Sequence, residues 1–360
     1  SAAIAPAAGG ATSGASFLVA WAEGKTLKLH HVDASGSTVE STSKTLNGAI
    51  DEIALESAGD RYLVVTSEQG NGSKVLLGYR YDNSLKAEGT LVSLDRTPSP
   101  KITNISTAVS AKTAWVAYDL EDNSNGKHHI KATSMNLQTG KRKNTPVVVS
   151  SGNPLSRVGM PEIELAAGTP TVLWWDASLK KLQGVRLDGN GSVNGTFGEP
   201  LTVVPSNFDA RAISAVRAGT DISLLYPNYD NMGYSELRHV PVTQNSVEPS
   251  AALTGSSKVN RLPAAEAVDS DGDGTDDSLV VAWVQGAGMS GLDLFVGETS
   301  LDSPGKMNSR VTKNSIDLDD GFTIAEADGK IGAVYVIPSD QTVKYLPLSI
   351  DGVPVCTMNP

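Results

Sequence analysis

The chain has 360 residues, a mass of 37.5 kDa, a net charge of −11 and a pI of about 5.0. That balance excludes a nucleic-acid surface, which needs clustered Lys and Arg; the one compact basic run, "KRK" at 141–143, reads as a solvated turn. No apolar run reaches 18 residues, so nothing reads as a membrane span, and the single cysteine, Cys356, permits neither an intrachain disulfide nor a Cys-based zinc site.

Seven apolar runs follow one another along the chain, six of them ending in Trp or Tyr: "FLVAW" (17–21), "YLVVT" (62–66), "AWVAY" (114–118), "TVLWW" (171–175), "ISLLY" (222–226), "LVVAW" (279–283) and "IGAVY" (331–335). Thr66 is the exception. Their last residues are 45, 52, 57, 51, 57 and 52 positions apart. Each run is preceded by a short strand and tight turn, such as "DEIALESAG" or "PEIELAAG", and followed by an alternating strand closing on a turn, such as "GVRLDGNG". A fourth, less distinct strand completes units such as "EPLTVVP" at 199–205. Four strands in about 50 residues, repeated, is the signature of a β-propeller blade.

The expected fold is therefore all-β: one seven-bladed propeller over residues 1–360, four antiparallel strands per blade. The blades fall near 1–48, 49–100, 101–156, 157–206, 207–260, 261–314 and 315–360. Strand B of each blade is apolar on both faces because neighbouring blades cover it. Trp21, Tyr118, Trp175, Tyr226, Trp283 and Tyr335 then read as wedge-filling core, as do Trp115 and Trp174. A helical solenoid fails for want of any sustained i, i+3, i+4 pattern.

In blade 6 the first turn is enlarged. Val216 lies ten residues before Tyr226, whereas Val268 lies fifteen before Trp283, an insertion of about five residues. The insert reads Asp269, Asp271, Asp273, Gly274, Thr275, Asp277, the pattern D-x-D-x-D-G-x-x-D. Alternate carboxylates converge on one point, Gly274 permits the reversal, Thr275 offers its carbonyl and Asp277 returns a carboxylate, a donor set for the hard cation Ca²⁺. Asp276 points outward. Without a cation each near pair of carboxylates repels by roughly 1 kcal/mol. An EF-hand would carry Glu at position 12, which here is Val280.

The loop resembles the calcium loops of FG-GAP and VCBS-type propeller repeats, as in the integrin α-subunit head. The resemblance covers about seventeen residues of one blade. It implies a structural Ca²⁺ and an extracellular, cell-surface or periplasmic setting. The first residues, "SAAIAPAAGGATSGAS", lack the basic and apolar regions of a signal peptide, so export requires one already removed.

No H-E-x-x-H, G-x-S-x-G, P-loop or sialidase Asp-box occurs. His30–His31 and His128–His129 are adjacent in strands, so neither pair chelates one metal. Ligands of propellers usually bind the face of the B–C and D–A loops, opposite the A–B turns. Candidate ligand residues there are Asp119, Glu121, His128, Asp176, Tyr229, Asp230 and Tyr234. Arg157, Arg211 and Arg261, shortly before three first strands, would line one side of the channel. The leading expectation is a non-catalytic binding propeller with a protein or glycan partner on this face. A glycoside hydrolase or lyase is the alternative, drawing paired carboxylates from Asp119, Glu121, Asp176, Asp230 and Asp340. A structural subunit of a surface assembly is the third.

Overall fold

The computed structural model describes residues 1–349 save 71, 99–100, 111, 123–124, 151–154, 156–158, 177–178, 180, 201–212, 287–291, 317–321 and 338–341; of 196–200, 308–316 and 349 it describes the backbone alone. Arg157, Arg211, Asp340 and Cys356 lie outside the described residues.

All regular structure is β. Blade 1 is β1 (Ala2–Pro6), β2 (Phe17–Glu23), β3 (Thr26–Val32) and β4 (Thr38–Thr45). Blade 2 is β5 (Ile50–Ala58), β6 (Arg61–Gln69), β7 (Lys74–Asp82) and β8 (Val92–Thr97). Blade 3 has β9 (Lys101–Val109), β10 (Thr113–Glu121) and β11 (His128–Asn136), with its outer strand split into β12 (Lys141–Arg142) and β13 (Val147–Val148). Blade 4 is β14 (Glu162–Ala166), β15 (Thr169–Asp176), β16 (Lys181–Leu187) and β17 (Val193–Pro200). Blade 5 is β18 (Ser214–Ala218), β19 (Asp221–Tyr229), β20 (Ser235–Val242) and β21 (Ala251–Ala252). Blade 6 is β22 (Val259–Val268), β23 (Ser278–Gly286), β24 (Leu292–Ser300) and β25 (Asn308–Ile316). Blade 7 shows three strands among the described residues, β26 (Phe322–Ala327), β27 (Lys330–Ile337) and β28 (Thr342–Ser349).

Strand pairing within every blade is antiparallel. The first strands touch in cyclic order, β1 to β5, β9, β14, β18, β22, β26 and back to β1, so the seven blades close a ring around a channel. The second strands are buried along almost their whole length, as the two-sided apolar pattern requires. Tyr118, Trp175, Tyr226, Trp283 and Tyr335 are buried, together with Trp115 and Trp174. Trp21 departs from the set. It pairs with Ala2 at the end of β1 and stays half-buried, its ring edge-on to His30 at 4.5 Å.

Buried polar latches join neighbouring blades. Tyr62 of blade 2 accepts from the Ala8 amide at 2.7 Å and pairs its hydroxyl with His31 Nε2 at 2.8 Å. Between blades 5 and 6, Asn260 is wholly buried. Its amide oxygen accepts from Trp283 Nε1 (3.0 Å) and Gln285 Nε2 (2.7 Å), its Nδ2 donates to the carbonyls of Ser235 and Gly255, and its backbone N–H donates to Ser235 Oγ (2.7 Å). Between the last and first blades the described residues share no strand. Phe17, Val19 and Val32 pack there against Val334, Ala325 and Tyr345, whose hydroxyl donates to the Ala34 carbonyl at 3.3 Å. Tyr345 covers Gly36 so closely that a Cβ there would overlap the ring.

Asn260→Leu would leave the Trp283 indole N–H, the Gln285 amide and the Ser235 carbonyl without this partner in a dry interior. Unfolding free energy is expected to fall by about 2–4 kcal/mol. A lower urea midpoint at unchanged m-value is the readout, and an unchanged midpoint would contradict the latch.

Candidate functional site

Closing seven sheets into a ring leaves a central cavity of about 330 Å³, lined by the first strands and the residues just before them. Four of its lining side chains are glutamates: Glu56 of β5, Glu162 and Glu164 of β14, and Glu266 of β22. They come from blades 2, 4 and 6, alternate members of the ring. Glu56, Glu164 and Glu266 are each the third-last residue of their strand, so they share one level near the A–B turns. Among the described residues no Lys, Arg or His lines the cavity.

Each glutamate is half-buried, reached by water only along the channel. That enclosure sets their acidity, because a carboxylate loses hydration there and gains no cation. Burial pushes Glu56 up to about 8. Burial raises Glu162 to about 7 although Ser106 Oγ donates to it at 2.8 Å. Glu164 is held well above the usual range by burial first, then by the charges of Glu56, Glu162 and Glu266. Glu266 is raised by burial, then by Glu56, Glu326 and Asp276. The carboxylates line one channel and raise one another across it.

Nearer the other mouth the lining changes character. Ile105, Met160, Leu262 and Phe322 are half-buried there. Phe322 lies opposite Tyr335 and Leu262 sits in a bulge beside Val284, whereas Glu266 lies opposite Val280. At this level Asn104, Met160 and Leu262 all take left-handed backbone, with φ of 53°, 41° and 49°. Such backbone costs a non-glycine residue about 1–2 kcal/mol, so the ring geometry imposes it at one level in three blades.

The enlarged turn of blade 6 lies beside the acidic level. Asp269, Asp271 and Asp273 bring carboxylate oxygens within 4.8 Å of one another. Asp269 organises the loop, accepting from the amides of Gly272 (2.7 Å), Asp273 (3.1 Å) and Gly274 (2.7 Å). Gly274 has φ of +89°, the reversal that its position calls for. Asp273 accepts from the Thr275 amide at 2.8 Å. Asp277 turns instead to Ser270, accepting from its amide and its hydroxyl at 2.9 Å each, and these bonds hold its carboxyl below the usual range.

The expected ligand residues of the B–C loops do not line the cavity. Asp119 and His128 are buried together at 2.8 Å, and Asp119 also accepts from the Gly159 amide at 2.7 Å, a latch between blades 3 and 4. That hydrogen bond raises the His128 pKa, with the charge of Glu121, half-buried at the end of β10, a smaller contribution. Asp176 caps its own turn through the Leu179 amide, and Asp230 does so through the amides of Met232 and Tyr234. Tyr229 is buried and Tyr234 is exposed. Arg261 is half-buried in β22.

The channel glutamates were the residues that sequence reasoning passed over. Their signal was present: "ALESA", "EIELA" and "AAEAV" each set a Glu inside an otherwise apolar first strand, where a solvated charge has no place.

No family model and no curated protein sequence matches the chain. Solved structures do. A structure from a study of two prolyl endopeptidases is 10% identical with a TM-score of 0.51, covering 98% of this chain and 47% of that one. This chain thus spans about half the length of that protein. The β-propeller domain of the Trilobed protease from Pyrococcus furiosus is 9% identical with a TM-score of 0.40, covering 86% of this chain and 98% of that one. Apo AztD from Citrobacter koseri is 10% identical with a TM-score of 0.44, covering 94% and 95%. At these identities what is shared is the fold: the chain is a seven-bladed β-propeller.

Proposed function

We propose that this chain is a non-catalytic binding propeller that takes a cationic ligand in its central channel, and that the blade 6 loop holds a structural Ca²⁺. One observation carries the channel reading. Four carboxylates from three blades converge in one cavity whose described lining holds no Lys, Arg or His to neutralise them. Folding has brought together like charges that cost stability unless protons or a cation take them up. A basic side chain of a protein partner would supply such a cation, and a neutral glycan would not.

For the loop, Asp269, Asp271 and Asp273 would hold the ion, an all-oxygen set suited to a hard cation. Millimolar calcium outside the cell suits a site of this kind, which supports an extracellular, cell-surface or periplasmic setting.

A carbohydrate-active enzyme is the second reading, favoured by Glu162. Its carboxyl, raised to about 7, has the poise of a general acid. The same chemistry needs an ionised partner, and the neighbours Glu56, Glu164 and Glu266 are all raised as well. Release of p-nitrophenol from aryl glycosides, lost in Glu162→Gln, would establish the enzyme over the binding module.

The pH dependence has a definite sign. The channel glutamates have folded pKa values above the unfolded 4.5, so the folded chain binds more protons. Their contribution is complete below about 4.5 and is lost as pH rises through 7 and 8. His31 and His239 act oppositely: burial lowers both, His239 to about 4, so stability is lost as pH falls below 6.5. Stability is expected to peak near pH 5–6.5. At pH 8.5 the double change Glu56→Gln with Glu266→Gln should stabilise by roughly 1–2 kcal/mol, and at pH 5 by almost nothing. Thermal melts across this range are the measurement, and equal effects at both pH values would refute the enclosed-carboxylate reading.

For the loop, millimolar CaCl₂ should raise the melting temperature of the unaltered protein by several degrees. Asp271→Ala with Asp273→Ala should abolish that rise. A variant that keeps it would exclude the loop as the calcium site.

A further inference from the structure

The channel has two ends of different chemistry, and together they specify more than charge. Glu56, Glu164 and Glu266 form the level near the A–B turns. Glu56 and Glu266 accept no described hydrogen bond, while Glu164 accepts from the Leu165 amide. Four residues earlier along the strands, Met160 and Leu262 stand with Ile105 and Phe322 at the other level. At about 3.3 Å per residue the two levels are roughly 13 Å apart.

We propose that the channel's ligand is an organic cation, its ammonium group among Glu56, Glu164 and Glu266 and its apolar body against Ile105, Met160, Leu262 and Phe322. The inference rests on the cation-binding reading of the channel and names the ligand's class. Two features separate this class from a metal ion. A hard metal ion needs six or more oxygens at about 2.3–2.6 Å and gains nothing from an apolar wall. The cavity, about 330 Å³, matches the lower end of small-molecule sites rather than one ion. An alkylammonium uses both levels: its charge meets the carboxylates, and its chain displaces water from the half-buried apolar side chains along the channel axis.

The charges facing the acidic level are of one sign. Glu162 lies on the same strand as Glu164, Glu326 approaches from β26, and Asp276 approaches from the loop. Binding therefore competes with protons at Glu56, Glu164 and Glu266, and it should release protons into the buffer. The apolar level lies on the D–A side of the ring, where Met160 and Leu262 stand at or near the start of their blades.

Isothermal titration at pH 8.5 and low salt tests this. The protein carries Asp271→Ala and Asp273→Ala, so that the blade 6 loop contributes no calcium binding. The probes are n-hexylammonium, methylammonium and calcium chlorides at matched ionic strength. Hexylammonium should bind at least ten-fold tighter than methylammonium or calcium, with a buffer-dependent heat that reports proton release. Glu164→Gln with Glu266→Gln, isosteric with the protonated acids, should weaken it ten-fold or more. Leu262→Asn, which keeps a residue tolerant of the left-handed backbone, should weaken hexylammonium several-fold and leave methylammonium unchanged. Calcium binding as tightly as hexylammonium, or hexylammonium indifferent to Leu262→Asn, would overturn the organic-cation inference while leaving a cation site in the channel. No binding by any of the three cations would overturn both.

Discussion

Each blade of this protein is a sheet with two apolar faces, and neither face can be left in water. The second strands, buried along almost their whole length, have to be covered by a neighbour on either side, so stacking continues until the last blade meets the first. A closed ring is the arrangement that satisfies all seven sheets, and a closed ring has a hole. The channel, its lining and its electrostatics all follow from that need to bury two faces.

The seams carry different kinds of bond. Between blades 1 and 2, 3 and 4, and 5 and 6, polar groups are buried at the contact: Tyr62 with His31, Asp119 with His128 and the Gly159 amide, Asn260 with Ser235. Such latches add little net stability when complete and cost much when broken, so they fix the rotation of one blade on the next. The seam between blades 7 and 1 relies on apolar packing around Phe17 and Tyr345 and one hydroxyl–carbonyl bond.

The first strands meet an opposite demand. They face each other across the channel, so a residue there is neither packed nor freely hydrated. Apolar side chains tolerate the position, whereas a glutamate there is pushed toward its protonated form. That explains why Glu56, Glu162, Glu164 and Glu266 are raised together while Asp277, hydrogen-bonded in an exposed turn, is lowered. The Asp269–Asp271–Asp273 cluster lies beside this level, so the chain gathers its negative charge toward one end of the ring. The sequence had suggested the opposite, loop-bearing face as the place for ligands.

The repeat was legible because period and alternation are local: an apolar run, an aromatic and a turn recur about every 50 residues, and antiparallel neighbours follow from short turns. The aspartate spacing was legible for the same reason, being a contiguous loop whose Asp269 binds its own next turn. The B–C loop candidates were less legible, because a polar loop residue reads alike whether it awaits a ligand or, like Asp230, caps its own backbone. The channel site could not be read, since Glu56, Glu164 and Glu266 are about a hundred residues apart along the chain and share a level only because ring closure sets their three strands around one channel. The left-handed Met160 and Leu262 were equally hidden: each precedes a proline, which on local grounds favours extended backbone, and the bend of the ring overrides that preference. Local pattern thus determined the blades, their number and their order, while tertiary closure alone decided which charges would have to face one another.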